Sequence, residues 1–124
     1  LLRNFNVNLE KLKFKKQKVR QKRLDFFKFK PALIKIDVEG YETNVLLGAI
    51  KTIKKFKPII YVENNLKQKK TNTINFFKQK LLRLGYSAYT FNFEQKTFLN
   101  YNKRNISRSF FSYNVYFITK DHFR

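Results

Sequence analysis

The clearest ordering of apolar positions lies between residues 32 and 63. Ala32-Leu33-Ile34-Lys35-Ile36-Asp37-Val38 is a short, mostly β-branched run bounded by Pro31 and Gly40, which predicts a buried strand. From Glu42 to about Phe56, Val45, Leu46, Ala49, Ile50 and Ile53 recur at spacings of three and four, the period of a helix that buries one face. Gly48 falls inside that stretch and predicts a break into two short pieces. Pro58 then introduces a second apolar run, Ile59-Ile60-Tyr61-Val62-Glu63. Strand, helix and strand within about thirty residues make a βαβ unit, so the strands are expected to be parallel, joined by a right-handed crossover.

Beyond residue 63 a second helix is expected from about Thr73 to Leu84, with Ile74, Phe77, Leu81 and Leu84 on its apolar face and Gly85 as its stop. Tyr86 to Phe93 alternates aromatic and smaller residues as a strand does, and Asn114 to Thr119 is its expected partner. The connection between them, roughly residues 94–112, is rich in Asn, Ser and Arg and long for a hairpin loop. At the other end, Leu9 to Leu24 alternates loosely between lysines and Leu12, Phe14 and Val19. That suggests extended structure or an edge strand whose lysines discourage further pairing. We take residues 1–30 as a basic, extended lead-in with a solvated face, in preference to a polyanion-binding arm.

Composition changes this picture at a few points. The chain has 124 residues, a 43% hydrophobic content and 15 phenylalanines, enough apolar surface for the core of one domain or part of one. Without cysteine, neither a disulfide framework nor a thiolate metal site can form; this fits a reducing compartment, and a cytoplasmic location is expected. No run approaches the roughly 18 apolar residues that span a bilayer, and the start has no signal-peptide h-region. Methionine is absent throughout, and the sequence reads as a fragment.

The formal charge of +20 would by itself point to nucleic acid or an anionic membrane surface. Lys, Asn, Phe and Ile are, however, enriched together, as AT-rich codons would produce, and we attribute the basic balance mainly to compositional drift. Four of the eight acidic residues, Asp37, Glu39, Glu42 and Glu63, fall in the short stretch from 37 to 63. Those retained carboxylates are the candidate chemistry.

Side chains alternate along a strand, which puts Lys35, Asp37 and Glu39 on one side and Ile34, Ile36 and Val38 on the other. Ligands of open α/β sheets bind outside the carboxyl ends of the strands. Asp37 and Glu39 end the first strand and Glu63 the next, so the three are expected on one rim. Lys35, deeper on the same side, is expected to neutralise one of them, because a buried unpaired charge is costly. Gly40 permits a sharp exit from strand to helix. Glu42, near the helix start, suits the macrodipole and turn or capping work.

These segments together carry a family resemblance. Leu33 to Glu42, then Val45-Leu46-Leu47-Gly48-Ala49, then Lys57-Pro58-Ile59-Ile60-Tyr61-Val62-Glu63, resemble the signature of FkbM-type methyltransferases. Leu24-Asp25 resembles the pair that precedes that signature. Leu84-Gly85-Tyr86 and Asn114 to Ile118 resemble its later helix-to-strand junction and last strand, so the likeness runs from about Val19 to Thr119.

The resemblance implies an α/β, Rossmann-like class I methyltransferase fold, of which this chain would hold the C-terminal portion: strands 4 to 7 of a seven-stranded, mostly parallel sheet whose last strand is antiparallel. It implies S-adenosyl-L-methionine as cofactor and methyl transfer, with O-methylation of a sugar or other small metabolite as the expected reaction. Asp37, Glu39 and Glu63 would be the catalytic carboxylates, with Lys35, Gly40 and Glu42 supporting. Asp37 would orient or deprotonate a substrate hydroxyl, or bind a metal if one is used.

The cofactor cradle is missing. The only glycines, Gly40, Gly48 and Gly85, make no G-x-G pattern, so the N-terminal, cofactor-binding half of such a domain is expected to be absent and the isolated chain inactive. The first strand would then have an unpaired edge open to self-association or to the missing half. Two rival readings are a small basic nucleic-acid-binding module, using Tyr86, Tyr89, Phe91 and Phe93 to stack bases, and a non-catalytic methyltransferase remnant. No metal site is expected, since the single histidine, His122, has no ligand spacing around it.

Overall fold

The computed structural model describes residues 16–63, 76–100 and 114–123. Its centre is the βαβ unit. Strand β1 (Leu33–Ile36) leads through helices α1 (Glu42–Gly48) and α2 (Ile50–Phe56) to strand β2 (Ile59–Val62), which lies parallel to β1 with Leu33 opposite Ile59 and Ile36 opposite Val62. A π-helical turn (Phe77–Leu81) and a 3-10 turn (Leu82–Leu84) then lead into β3 (Tyr86–Asn92), β4 (Thr97–Asn100) and β5 (Val115–Thr119). The sheet order is β1-β2-β5-β3-β4, with β5 antiparallel to both of its neighbours.

The helical stripe read from the sequence is the one that is buried. Leu46, Ala49 and Ile53 are inaccessible to solvent, and Val45 and Ile50 pack beside them. They meet Ile36 of β1, Ile60 and Val62 of β2, Val115 and Phe117 of β5, and Tyr86 and Ala88 of β3, with Phe77 and Leu81 completing the core. Phe77 stacks on Phe117 at 5.3 Å between ring centres. Each such side chain contributes roughly 1.5–3 kcal/mol by leaving water.

The helix breaks after Gly48, as its position predicts, at Ala49 with φ −113° and ψ 2°. Gly85 ends the later helical segment at φ +86°, with its N–H donating to the Leu82 carbonyl at 3.0 Å. Of the expected helix from Thr73, residues 73–75 lie outside the described residues. From Phe76 on it is wound first as a π turn and then as a 3-10 turn, and it buries Phe77 and Leu81.

Three expectations change. The connection from 94 to 112 includes a strand, β4, which turns back on β3 and pairs Phe91 with Phe98 and Asn92 with Thr97; residues 101–112 lie outside the described residues. Asn92 makes that turn possible, its Oδ1 accepting the N–H groups of Glu94 at 2.9 Å and Gln95 at 3.1 Å. Residues 16–23 form no strand; Leu24–Phe26 is a 3-10 turn, and Leu24 packs against the core, which takes the segment away from the sheet edge. The alternating residues 9–15 lie outside the described residues.

The third change concerns β1, which is buried on one face only. Ile36 is enclosed by the helices, while Leu33 on the opposite face is 58% exposed. The described helical residues pack on the Ile36 face of the sheet. Its other face carries a chain of aromatic contacts through Tyr61, Tyr116, Phe98, Phe91 and Tyr89. Of the aromatics proposed to stack bases, Tyr86 is core, Tyr89 and Phe91 are engaged with other rings, and Phe93 is exposed.

Candidate functional site

The parallel register sets the rim. The Glu63 N–H donates to the Ile36 carbonyl at 2.9 Å, so the residue after β2 sits beside the residue after β1, which is Asp37. Hydrogen bonding to Asp37, then the Asp37 charge, burial and the Glu39 charge raise the Glu63 carboxyl above its ordinary value of 4.5, against the opposing pull of Lys35. A neighbouring negative charge disfavours ionisation in this way.

Lys35 lies alongside, its Nζ 3.3 Å from Asp37 Oδ2. It is not a deep group. The Lys35 and Asp37 side chains are 61% and 40% exposed, because among the described residues no helix covers the face of β1 that carries them. A pair in that setting is worth a fraction of a kcal/mol. Its effect is on the charge of the rim, not on stability.

Glu39 does not continue the strand's alternation, since β1 ends at Ile36 and Glu39 sits in a turn at φ +48°. It acts on Glu63 through its charge. Gly40 follows at φ +103°, a conformation that disfavours any side chain, and its N–H donates to Glu42 Oε1 at 3.0 Å. Glu42 is therefore a buried strut, 3% exposed, that ties the helix start to the turn; it is not a solvated partner of the helix dipole. Its Oε2 and the neighbouring Thr43 Oγ1 are buried with no hydrogen-bond partner.

Two features of the structure escaped the sequence reading. Tyr61 and Tyr116 face each other across β2 and β5 with ring centres 4.7 Å apart, and the Asn114 side-chain amide donates to the Tyr61 hydroxyl. Burial first, and then Tyr61, push the Tyr116 hydroxyl up from its ordinary value of 10.0. Alternation puts Tyr61 on the same face of β2 as Glu63, so a tyrosine pair adjoins the acid pair. The only signal for it in the sequence is an Asn immediately before an apolar strand.

The second feature is Asp25. Its carboxylate accepts from the backbone N–H and the hydroxyl of Thr52, both at 2.8 Å, and from the Lys51 N–H at 3.1 Å. It thereby caps α2, whose own N-cap position is Ala49, with no side chain to do so.

Among the described residues no group of three or more His, Cys, Asp and Glu side chains is arranged to hold a metal ion. No described helix is long and apolar enough to cross a membrane. His122 Nδ1 is hydrogen-bonded to the Thr119 hydroxyl at 2.8 Å.

The family model of the methyltransferase FkbM domain matches residues 5–88, a span that contains β1, both helices, β2 and the acidic rim. Comparison with curated proteins and with solved structures finds no match.

Proposed function

Because the chain belongs to the FkbM methyltransferase domain family, we propose that its acidic rim is the catalytic edge of an S-adenosyl-L-methionine-dependent O-methyltransferase acting on a sugar or other small metabolite. The observation that carries this reading is the placement of Asp37 and Glu63 at adjacent strand ends, set by the bond from the Glu63 N–H to the Ile36 carbonyl, with the Glu39 charge adding to the raised proton affinity of Glu63.

In this reading β1, β2, β3 and β5 are the fourth, fifth, sixth and seventh strands of the class I sheet. An order of β1-β2-β5-β3, with β5 antiparallel to both neighbours, supports that numbering. β4 is then an added hairpin strand at the far edge.

When bound, the cofactor supplies an electrophilic methyl group on a cationic sulfur. A rim bearing Asp37, Glu39 and Glu63 suits a positively charged donor. No described residues form a cradle for its nucleoside, and the chain contains no glycine-rich loop. The isolated chain is therefore expected not to bind the cofactor at micromolar concentrations, which calorimetric titration would measure.

The residues present can hold an acceptor hydroxyl and take its proton. Asp37, itself 40% exposed beside Lys35, accepts a hydrogen bond from the substrate hydroxyl. The hydroxyl proton would pass to the Asp37 and Glu63 carboxyls as the methyl group leaves the cofactor sulfur, released as a neutral thioether, for the substrate oxygen, and Lys35 would offset part of the charge. Positioned proton transfer of this kind is worth about 10²–10⁴-fold in rate.

The test is Asp37→Ala, with Glu63→Gln beside it, in a complete enzyme carrying this segment. Turnover should fall by about that factor while cofactor affinity changes little. Unchanged turnover would remove Asp37 from the reaction.

A further inference from the structure

Residues 24–30 form a loop that displays apolar rings to water. Phe26, Phe27 and Phe29 are 65%, 45% and 58% exposed. Phe27 and Phe29 stack with their planes 7° apart, and Phe26 stands edge-on to Phe27. The loop is not a loose tail. Asp25 fastens it to α2 through its hydrogen bonds to Thr52 and Lys51, and Leu24 packs against the core.

Cations flank the rings along the chain. Lys16, Lys18, Arg20, Lys22, Arg23, Lys28 and Lys30 are all exposed, and Lys22 Nζ lies 4.6 Å from the Phe26 ring centre. The single carboxylate in residues 16–30, Asp25, is turned inward to its cap. A rigidly held apolar tip within a basic collar matches an anionic lipid surface, where rings enter the acyl boundary and lysines meet headgroups.

We propose that this Phe26–Phe27–Phe29 loop is a peripheral docking site for an anionic membrane surface. The same loop of a second copy is a poor occupant, since it brings the same exposed lysines and arginines and the two repel. Single-stranded nucleic acid fits less well, because Phe27 and Phe29 already cover one face of each other and leave only their outer faces for stacking. The membrane carries the charge that the collar requires and needs no hydrogen-bond readout.

Vesicle co-sedimentation of the full chain tests this, using phosphatidylcholine alone, phosphatidylcholine mixed with phosphatidylserine, and single- and double-stranded oligonucleotides, each over a range of salt. The chain should bind the mixed vesicles, bind neutral ones at least about tenfold more weakly, and release with rising salt. The triple substitution Phe26→Ser, Phe27→Ser, Phe29→Ser should weaken binding to mixed vesicles by about tenfold or more while keeping its circular dichroism. If the triple variant does not fold, Phe29→Ser, which removes one exposed ring, should give a smaller loss in the same direction. Unchanged vesicle binding on loss of the rings overturns the proposal, and so does equal binding to neutral vesicles. Tighter, ring-dependent binding to oligonucleotides would replace it with base stacking.

Discussion

Asp25 and Thr52 are joined by two hydrogen bonds of 2.8 Å, one from the Thr52 N–H and one from its hydroxyl, across 27 residues of chain. The start of α2 thus receives its capping carboxylate from a segment before β1. Burial pushes the Asp25 carboxyl up, but the bonds from Thr52 and Lys51 and the Lys51 charge outweigh it and bring the group below its ordinary value of 3.8.

Asp25→Ala should therefore cost about 0.5–2 kcal/mol, as loss of a helix cap does, read as a lower urea midpoint. The sign of the pH dependence follows. With the folded value depressed, the stabilisation is complete above pH 3.8 and drains as pH falls through the folded value. The variant should lose less stability than the parent over that acid range. An identical acid dependence would show that Asp25 does not contribute it.

The rim predicts opposite effects from its two charged neighbours. Glu39 raises the Glu63 carboxyl and Lys35 lowers it. Carbon-13 titration of Glu63 should therefore shift to lower pH in Glu39→Gln and to higher pH in Lys35→Gln. If the pair is the proton acceptor in the complete enzyme, the acid limb of kcat/KM moves the same way in each. Because the Glu63 value is raised, its contribution to stability is present below pH 4.5 and is lost as pH rises through the folded value.

Tyr86 is buried in the core, and its hydroxyl donates to the Pro58 carbonyl at 2.7 Å. Tyr86→Phe leaves that carbonyl unpaired and should cost about 1–3 kcal/mol, measured by thermal or urea unfolding. Burial also pushes the phenol well above its ordinary value of 10.0, so in an alkaline titration Tyr86 should ionise only as the chain unfolds.

Among the described residues no strand pairs with the outer edge of β1, and that edge predicts association. The carbonyls of Ala32 and Ile36 face β2, so the backbone groups of Leu33 and Lys35 point to the open side, beside an exposed Leu33 side chain. Leu33→Lys should reduce self-association in size-exclusion chromatography, as charge on an open strand edge does. A parent chain that elutes as a monodisperse monomer would count against this.

Much of the fold and half of the rim were legible in the sequence. The spacing of Val45, Leu46, Ala49, Ile50 and Ile53 determined which helical face is buried, because a helix has one period and water one preference. Pro58 and the β-branched runs determined β1 and β2, and Gly48, Gly40 and Gly85 marked the breaks. The alternation of β1 also placed Lys35 beside Asp37.

Tertiary structure decided the rest. Asp25 reads as a lone acid in a basic stretch until the loop folds onto α2, because capping from another segment leaves no local pattern. Glu39 left the strand's alternation when the backbone turned at φ +48°, so it reaches Glu63 through space. Asp37 and Glu63, 26 positions apart in the sequence, meet only because parallel pairing sets the ends of β1 and β2 in register. The sequence determined which residues are apolar, acidic or able to turn; long-range pairing, which no local pattern encodes, decided which acids lie at adjacent strand ends and which carboxylate holds a helix.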